Sequence, residues 1–182
     1  MNNIMLDLET LGTGRNSVIL SIGAVRVDLT VPASAQKFDK TFYAEFGADS
    51  QMLQQQLGLR IDSRTVEWWM RQSILAKQVF KPGVVNDPAA ALAEFADFLN
   101  YVPHTNVWGN GADFDNLLLG DMYDAFSIKR PWSYSHNRCY RTMKNLPGVP
   151  ANLHVEGVAH NALDDAIRQA KHLADIYQWL RT

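Results

Sequence analysis

Between Ile4 and Phe46 the chain carries three strand-like stretches in succession with no helical pattern among them, so the remainder must be built against a sheet. Ile4 to Leu8 sets Ile4, Leu6 and Leu8 on one side and Met5, Asp7 and Glu9 on the other, the two-residue period of a pleated strand. Val18 to Asp28 is rich in branched aliphatic residues, and Phe38 to Phe46 carries aromatics and Thr41, so both suit strands. The expected opening is an antiparallel meander.

Helical patterns follow. One begins near Asp62 or Ser63 and carries Val66, Trp69, Met70 and Ile74 at helical spacing. In a second, Asp87 is the cap, Pro88 the first helical residue, and Leu92, Phe95, Ala96 and Leu99 the apolar stripe. After Pro103 the run Thr105 to Trp108 reads as a strand ended by Gly109-Asn110-Gly111, and another helix starts near Asp113. The last helix runs from about Asn161 to Leu180, with Leu163, Ala166, Ile167, Ala170, Leu173, Ala174, Tyr177 and Leu180 facing inward. Strands first, then alternating helix and strand, predict an α/β protein with a mixed sheet flanked by helices. With 182 residues and neither repeat nor linker, residues 1–182 read as a single domain.

Seventeen Lys and Arg against nineteen Asp and Glu, a formal −2, make a generally basic nucleic-acid coat a poor description, so a polyanion partner must meet a local patch. The single Cys139 excludes an intramolecular disulfide, and the first residues lack the basic start and apolar run of a signal peptide, so a cytoplasmic location is expected. No apolar stretch approaches the roughly 20 residues needed to cross a bilayer, and a membrane association is not expected.

Asp7 and Glu9, two apart on one strand, leave the same face near its C-terminal end. At about 4 Å and an effective dielectric of about 20, two such charges repel by up to about 4 kcal/mol. A divalent cation would relieve them; so would projection into solvent. Asp115 follows the Gly109-Asn110-Gly111 turn, where sheet-to-helix loops present functional groups, although a first-turn acid also suits the helix dipole. Its neighbour Asp113 precedes an apolar run and suits an N-cap. At the last helix Asn161 can cap with Asp164 as its third residue, which leaves Asp165, nearer the apolar boundary on the helical wheel, to point under the sheet edge. His160 suits a base near neutral pH or an ordinary surface histidine.

In this order the motifs DLET (Asp7 to Thr10), ADFD (Ala112 to Asp115) and HNALDDA (His160 to Ala166) resemble the DEDDh (DnaQ-like) 3′–5′ exonuclease family, of ribonuclease H-like fold. SVILSIGAV resembles that family's second strand, and WGNGADFDN with TVEWWMRQS (Thr65 to Ser73) resembles the small RNase AS-like exonucleases. The resemblance implies a five-stranded mixed sheet and two Mg²⁺ or Mn²⁺ ions. Asp7 would be shared by both ions, with Glu9 and Asp165 on the nucleophile side, Asp115 on the leaving-group side, and His160 as general base. Thr10 and Leu11 resemble positions beside the terminal nucleotide. The family usually has His-Asn where this chain has Asn110-Gly111, a departure that leaves Asp115 in register. A zinc hydrolase is disfavoured, because Cys139 and His136 alone form no zinc ligand set.

From Ala125 to Val155 the chain holds Lys129, Arg130, Arg138, Arg141 and Lys144 without one Asp or Glu, interleaved with Phe126, Trp132, Tyr134 and Tyr140. Cations beside aromatic rings suit single-stranded nucleic acid, through phosphate pairing and base stacking, and Arg138, Arg141 and Lys144 are the chosen substrate contacts; a solvated loop explains the run as well. Trp68 and Trp69 are further candidates, one member of such a pair being expected in the core. The leading expectation is a metal-dependent 3′–5′ exonuclease releasing nucleoside monophosphates from single-stranded nucleic acid, RNA ahead of DNA. The alternatives are a 3′–5′ exodeoxyribonuclease and a catalytically silent nucleic-acid-binding module of the same fold. Some relatives act as homodimers, which makes dimerisation an expectation from resemblance.

Overall fold

The computed structural model describes residues 2–81, 87–99 and 105–182; Pro103, ahead of the fourth strand, lies outside them. The strands are β1 (Asn3–Thr10), β2 (Ile19–Val27), β3 (Thr41–Glu45), β4 (Asn106–Gly109) and β5 (Asn137–Cys139), arranged β3-β2-β1-β4-β5. β1 pairs antiparallel with β2, and β2 with β3, as the opening meander requires; β4 runs parallel to β1, and β5 parallel to β4. The helices are α1 (Ala48–Gln56), α2 (Ser63–Met70), α3 (Pro88–Leu99), α4 (Asp115–Ala125), α5 (Tyr140–Lys144) and α6 (Ala162–Trp179). This is the expected mixed five-stranded sheet flanked by helices. None of the described helices is long and apolar enough to cross a membrane.

β1 lies at the centre and is covered on both faces. Ile4, Leu6 and Leu8 join a core with Leu92, Phe95 and Leu99 of α3 and Leu118, Leu119 and Tyr123 of α4. Met5, on the same face as Asp7 and Glu9, packs with Val25 and Val27 of β2 against Ala166, Ala170, Leu173 and Ala174 of α6. Short alanine side chains let α6 come close to the sheet. A close approach is made at Gly23, paired with Asp7 across the β1–β2 ladder: a Cβ there would fall 2.2 Å from the Ala162 carbonyl carbon and 2.3 Å from the Leu163 nitrogen. Gly23 thus makes room for the start of α6 over the acidic end of β1.

Two expectations need correction. The helix expected to reach Ile74 ends at Met70, and both Met70 (72%) and Ile74 (78%) stand exposed; Trp69 is the buried anchor of α2. Leu180 lies just past α6 and is half exposed. α1 escapes a search for apolar stripes because a glutamine holds it: buried Gln54 accepts from the Ile19 N–H at 2.8 Å and donates to the Ile19 carbonyl at 2.9 Å. Gln54 thus satisfies both backbone groups of a strand residue.

Gly23→Ala should destabilise the chain by at least about 2 kcal/mol, because backbone rather than a mobile side chain blocks the new Cβ. Thermal unfolding tests this; a melting temperature within about 1 °C of the parent would show that α6 can withdraw freely.

Candidate active site

The end of β1 supplies two acids. Asp7 and Glu9 face α6 rather than open solvent, and Glu9 is buried, so projection into water is not what the fold does with them. Asp115 reaches the same place from the first turn of α4. Its Oδ1 accepts the Leu8 N–H at 3.2 Å, between Asp7 and Glu9 on β1, and its Oδ2 accepts the Asn110 N–H at 2.7 Å. Gly109 permits this approach, since a Cβ there would lie 2.9 Å from the Asp115 Cβ. Asp113 stays exposed and caps nothing; Phe114 holds the cap position without a side-chain bond. Asp115 is turned inward by two backbone donors, not by the helix terminus.

The third group comes with α6. Asn161 accepts the Leu163 and Asp164 N–H groups, each at 3.1 Å, as a cap should. Asp164 has a structural task, accepting the Val158 N–H at 2.8 Å and so holding the loop before the helix, rather than reaching back to the cap residue. Asp165 accepts the His160 N–H at 2.8 Å and forms an ion pair with Arg168. Ligand atoms of Glu9, His160 and Asp165 all fall within 4.8 Å of one another, the single such group of three among the described residues. Asp7 sits beside them and accepts from Gln169 at 2.7 Å.

The electrostatics follow from crowding. Burial, then the charges of Asp115 and Glu9, raise Asp7 well above the ordinary carboxylate range. Burial and the Asp115 charge push Glu9 up to about 8. Burial raises Asp115 to about 7 even though the Asn110 and Leu8 amides favour its charged form. His160 is lowered, by burial first and by the Arg168 cation second. The carboxylate oxygens suit a hard divalent cation, and the imidazole stands beside them as a proton acceptor. Among the described residues no hydrogen bond holds the Glu9 carboxylate, which leaves both its oxygens available. A cation held here has to share Asp165 with Arg168 or displace it.

Arg168 and Gln169 were not anticipated from sequence. Their signal is spacing: each lies three or four residues beyond Asp165, on the face of α6 that Asp165 presents to β1. Of the expected substrate contacts, Thr10 lines a groove of about 450 Å³ with Leu8, Glu9, Thr13, Trp68 and Phe114, its hydroxyl donating to the Gly12 carbonyl at 2.7 Å. Leu11 instead belongs to the core. Arg141 donates to the Asn110 carbonyl at 2.5 Å, at the turn that holds Asp115. Arg138 bonds to the Ser135 and Asn137 carbonyls, and Lys144 lies 5.2 Å from the Tyr140 ring centre.

The interleaved basic and aromatic run is therefore divided. β5 and α5 form within it, and Trp132, ahead of β5, and Tyr140, at the start of α5, enter the two cores, which removes both rings from any stacking surface, while Tyr134 stays exposed. Trp69 is buried and its Nε1 donates to the Thr10 carbonyl at 2.9 Å, whereas Trp68 is 40% exposed, the division expected of the pair.

A family model described as the 3′-5′ exoribonuclease Rv2179c-like domain matches residues 2–177. The chain belongs to this family. An exodeoxyribonuclease of Enterobacteria phage T4 is 25% identical to this Rv2179c-like chain over 130 residues, which cover 67% of the chain and 56% of that relative, little more than half its length. The nuclease domain of 3′hExo, a DEDDh family member bound to rAMP, superposes with a TM-score of 0.60 at 13% identity, covering 97% of this chain and 92% of that one. A full-length 3′-exonuclease gives 0.57 at 12% identity, covering 97% and 81%. The Rv2179c-like chain shares the fold of these DEDDh nuclease domains, the ribonuclease H-like arrangement expected from its motifs.

The raised carboxylates carry a pH signature. Folded Glu9 and Asp115 hold protons more tightly than the unfolded chain, so their stabilising effect is full below the unfolded value of about 4 and is lost as pH rises through about 7 to 8. His160 acts in the opposite sense but is already neutral in both states above about pH 7.5. The metal-free melting temperature should therefore fall between about pH 4 and 8 and level off above, and millimolar Mn²⁺ should recover most of the loss at the alkaline end. A flat metal-free profile would show that the carboxylates are not crowded in solution.

Proposed function

We propose that residues 1–182 form one exonuclease domain that removes nucleoside monophosphates from the 3′ end of single-stranded nucleic acid, RNA in preference to DNA, with divalent cations. The observation that carries this reading is the meeting of Glu9, His160 and Asp165 within 4.8 Å, with Asp7 and Asp115 alongside, from segments far apart in sequence. The family description supports RNA. The phage relative's name favours DNA and carries the second reading, a 3′–5′ exodeoxyribonuclease.

In this proposal Asp7, Glu9, Asp115 and Asp165 hold two Mg²⁺ or Mn²⁺ ions. When bound, these supply Lewis acidity that activates water and stabilises the departing 3′-oxygen. The residues of the chain do the rest. An imidazole nitrogen of His160 accepts the proton of the attacking water, and its lowered proton affinity keeps it neutral and ready at pH 7. Gln169 holds the Asp7 carboxylate through Oδ1. Thr10 borders the groove that receives the terminal nucleoside, and Arg141, anchored to the Asn110 carbonyl, presents a cation to a phosphate at the rim.

The decisive assay uses 5′-labelled RNA and DNA oligomers with free or blocked 3′ ends, with and without Mg²⁺ or Mn²⁺. A ladder shortening from the free 3′ end only with metal is expected, faster on RNA; faster loss of DNA favours the second reading, and indifference to the block would mean an endonuclease. His160→Ala should lower turnover by about 10²- to 10⁴-fold while Mn²⁺ binding by calorimetry changes little. Asp7→Asn should weaken both. With saturating Mn²⁺ the rate should already be near its plateau at about pH 7.5 and fall toward about pH 5.5 as His160 takes up a proton.

A further inference from the structure

His160 reaches the acidic cluster from an awkward backbone. Its φ of 63° lies in the left-handed region, and it stands just outside the cap of α6. The backbone is tied, through the N–H on Asp165, but among the described residues no hydrogen bond holds the imidazole. A side chain so placed would sample its three staggered χ1 wells and lose the geometry that proton transfer needs.

Two indoles wall the ring. The Trp68 and His160 ring centres are 4.8 Å apart with planes at 85°, and Trp69 adds a perpendicular contact at 6.2 Å. The indoles themselves meet edge to face at 5.1 Å. Trp69 is immobile, being buried and bonded through Nε1 to the Thr10 carbonyl, one residue beyond Glu9. α2 is therefore fastened to the strand that carries Glu9, and Trp68 projects from it against His160. Apolar burial does not account for Trp68, which is 40% exposed.

We infer that Trp68 is a positioning residue, part of a tandem-tryptophan bracket that keeps the His160 imidazole beside Glu9 and Asp165 before substrate arrives. The inference rests on the exonuclease reading of this site. Its rival is that Trp68 acts as a stacking platform for a nucleobase in the adjoining groove, which would act on binding rather than on turnover.

Two measurements on the full chain decide it. In the metal-free protein, NMR should show a nuclear Overhauser effect between the ring protons of His160 and those of the Trp68 indole. Kinetically, Trp68→Ala should lower kcat by about tenfold to a hundredfold. KM for the RNA oligomer should change by less than about threefold and Mn²⁺ affinity should hold, while Trp68→Phe, which keeps a ring against His160, should recover most of kcat. Absence of the Overhauser effect, or a Trp68→Ala variant with raised KM and intact kcat, overturns the inference. A wild-type chain that shows the effect yet degrades neither RNA nor DNA supports the bracket and removes the exonuclease reading instead.

Discussion

The burial of several carboxylates in one place is the constraint on which the rest of this structure depends. Asp7, Glu9 and Asp115 all hold their protons more tightly than free side chains do, through burial and, for Asp7 and Glu9, each other's charge or that of Asp115. Like charges about 4 Å apart repel by about 4 kcal/mol at an effective dielectric of about 20. The chain sets local dipoles and two cations against them: the Leu8 and Asn110 amides and the Arg141 charge on Asp115, the Gln169 amide on Asp7, and the Arg168 charge on Asp7 and Glu9, besides its ion pair with Asp165. These partners restrain the oxygens without neutralising the group as a whole. A site of this kind is poised for a divalent cation and less stable without one.

Rigidity has to come from around the acids, because they repel one another. β1 provides it by being central and buried on both faces. Two glycines then remove the volume that would keep other elements away: Gly23 admits the start of α6 over β1, and Gly109 admits Asp115 at the end of β4. Both act through close approach of backbone or a neighbouring side chain rather than through turn conformation. α2 adds the fastening at Thr10, so that strand, capped helix and tandem indoles meet around one histidine.

The substrate side follows a different logic. A chain with a formal −2 and an acidic pocket must draw a polyanion by local cations, and the basic run from Ala125 to Val155 offered the obvious supply. Folding spends much of that run on structure. Trp132 and Tyr140 become core, Arg130 lies 5.3 Å from the centre of the Trp132 ring, and Arg138 bonds to nearby carbonyls. Arg141 is the member brought to the turn that holds Asp115.

What the amino-acid order determined by itself were the features carried by short-range periodicity and capping: β1 to β3, the α3 stripe, the Asn161 cap of α6, and the spaced acid motifs. Helical geometry within a single turn also placed Asp165 nearer the apolar boundary than Asp164. Only tertiary structure decided what depends on partners far along the chain. α1 is held by an amide clasp from Gln54 to Ile19, Asp115 is aimed by the amide of Leu8, Leu11 goes to the core while Thr10 stays at the groove, and Trp68 meets His160. The physical reason is common to all four. A periodic pattern reports which side of an element is apolar, whereas a hydrogen bond or ring contact between distant segments exists only once the sheet has brought them within a few ångströms.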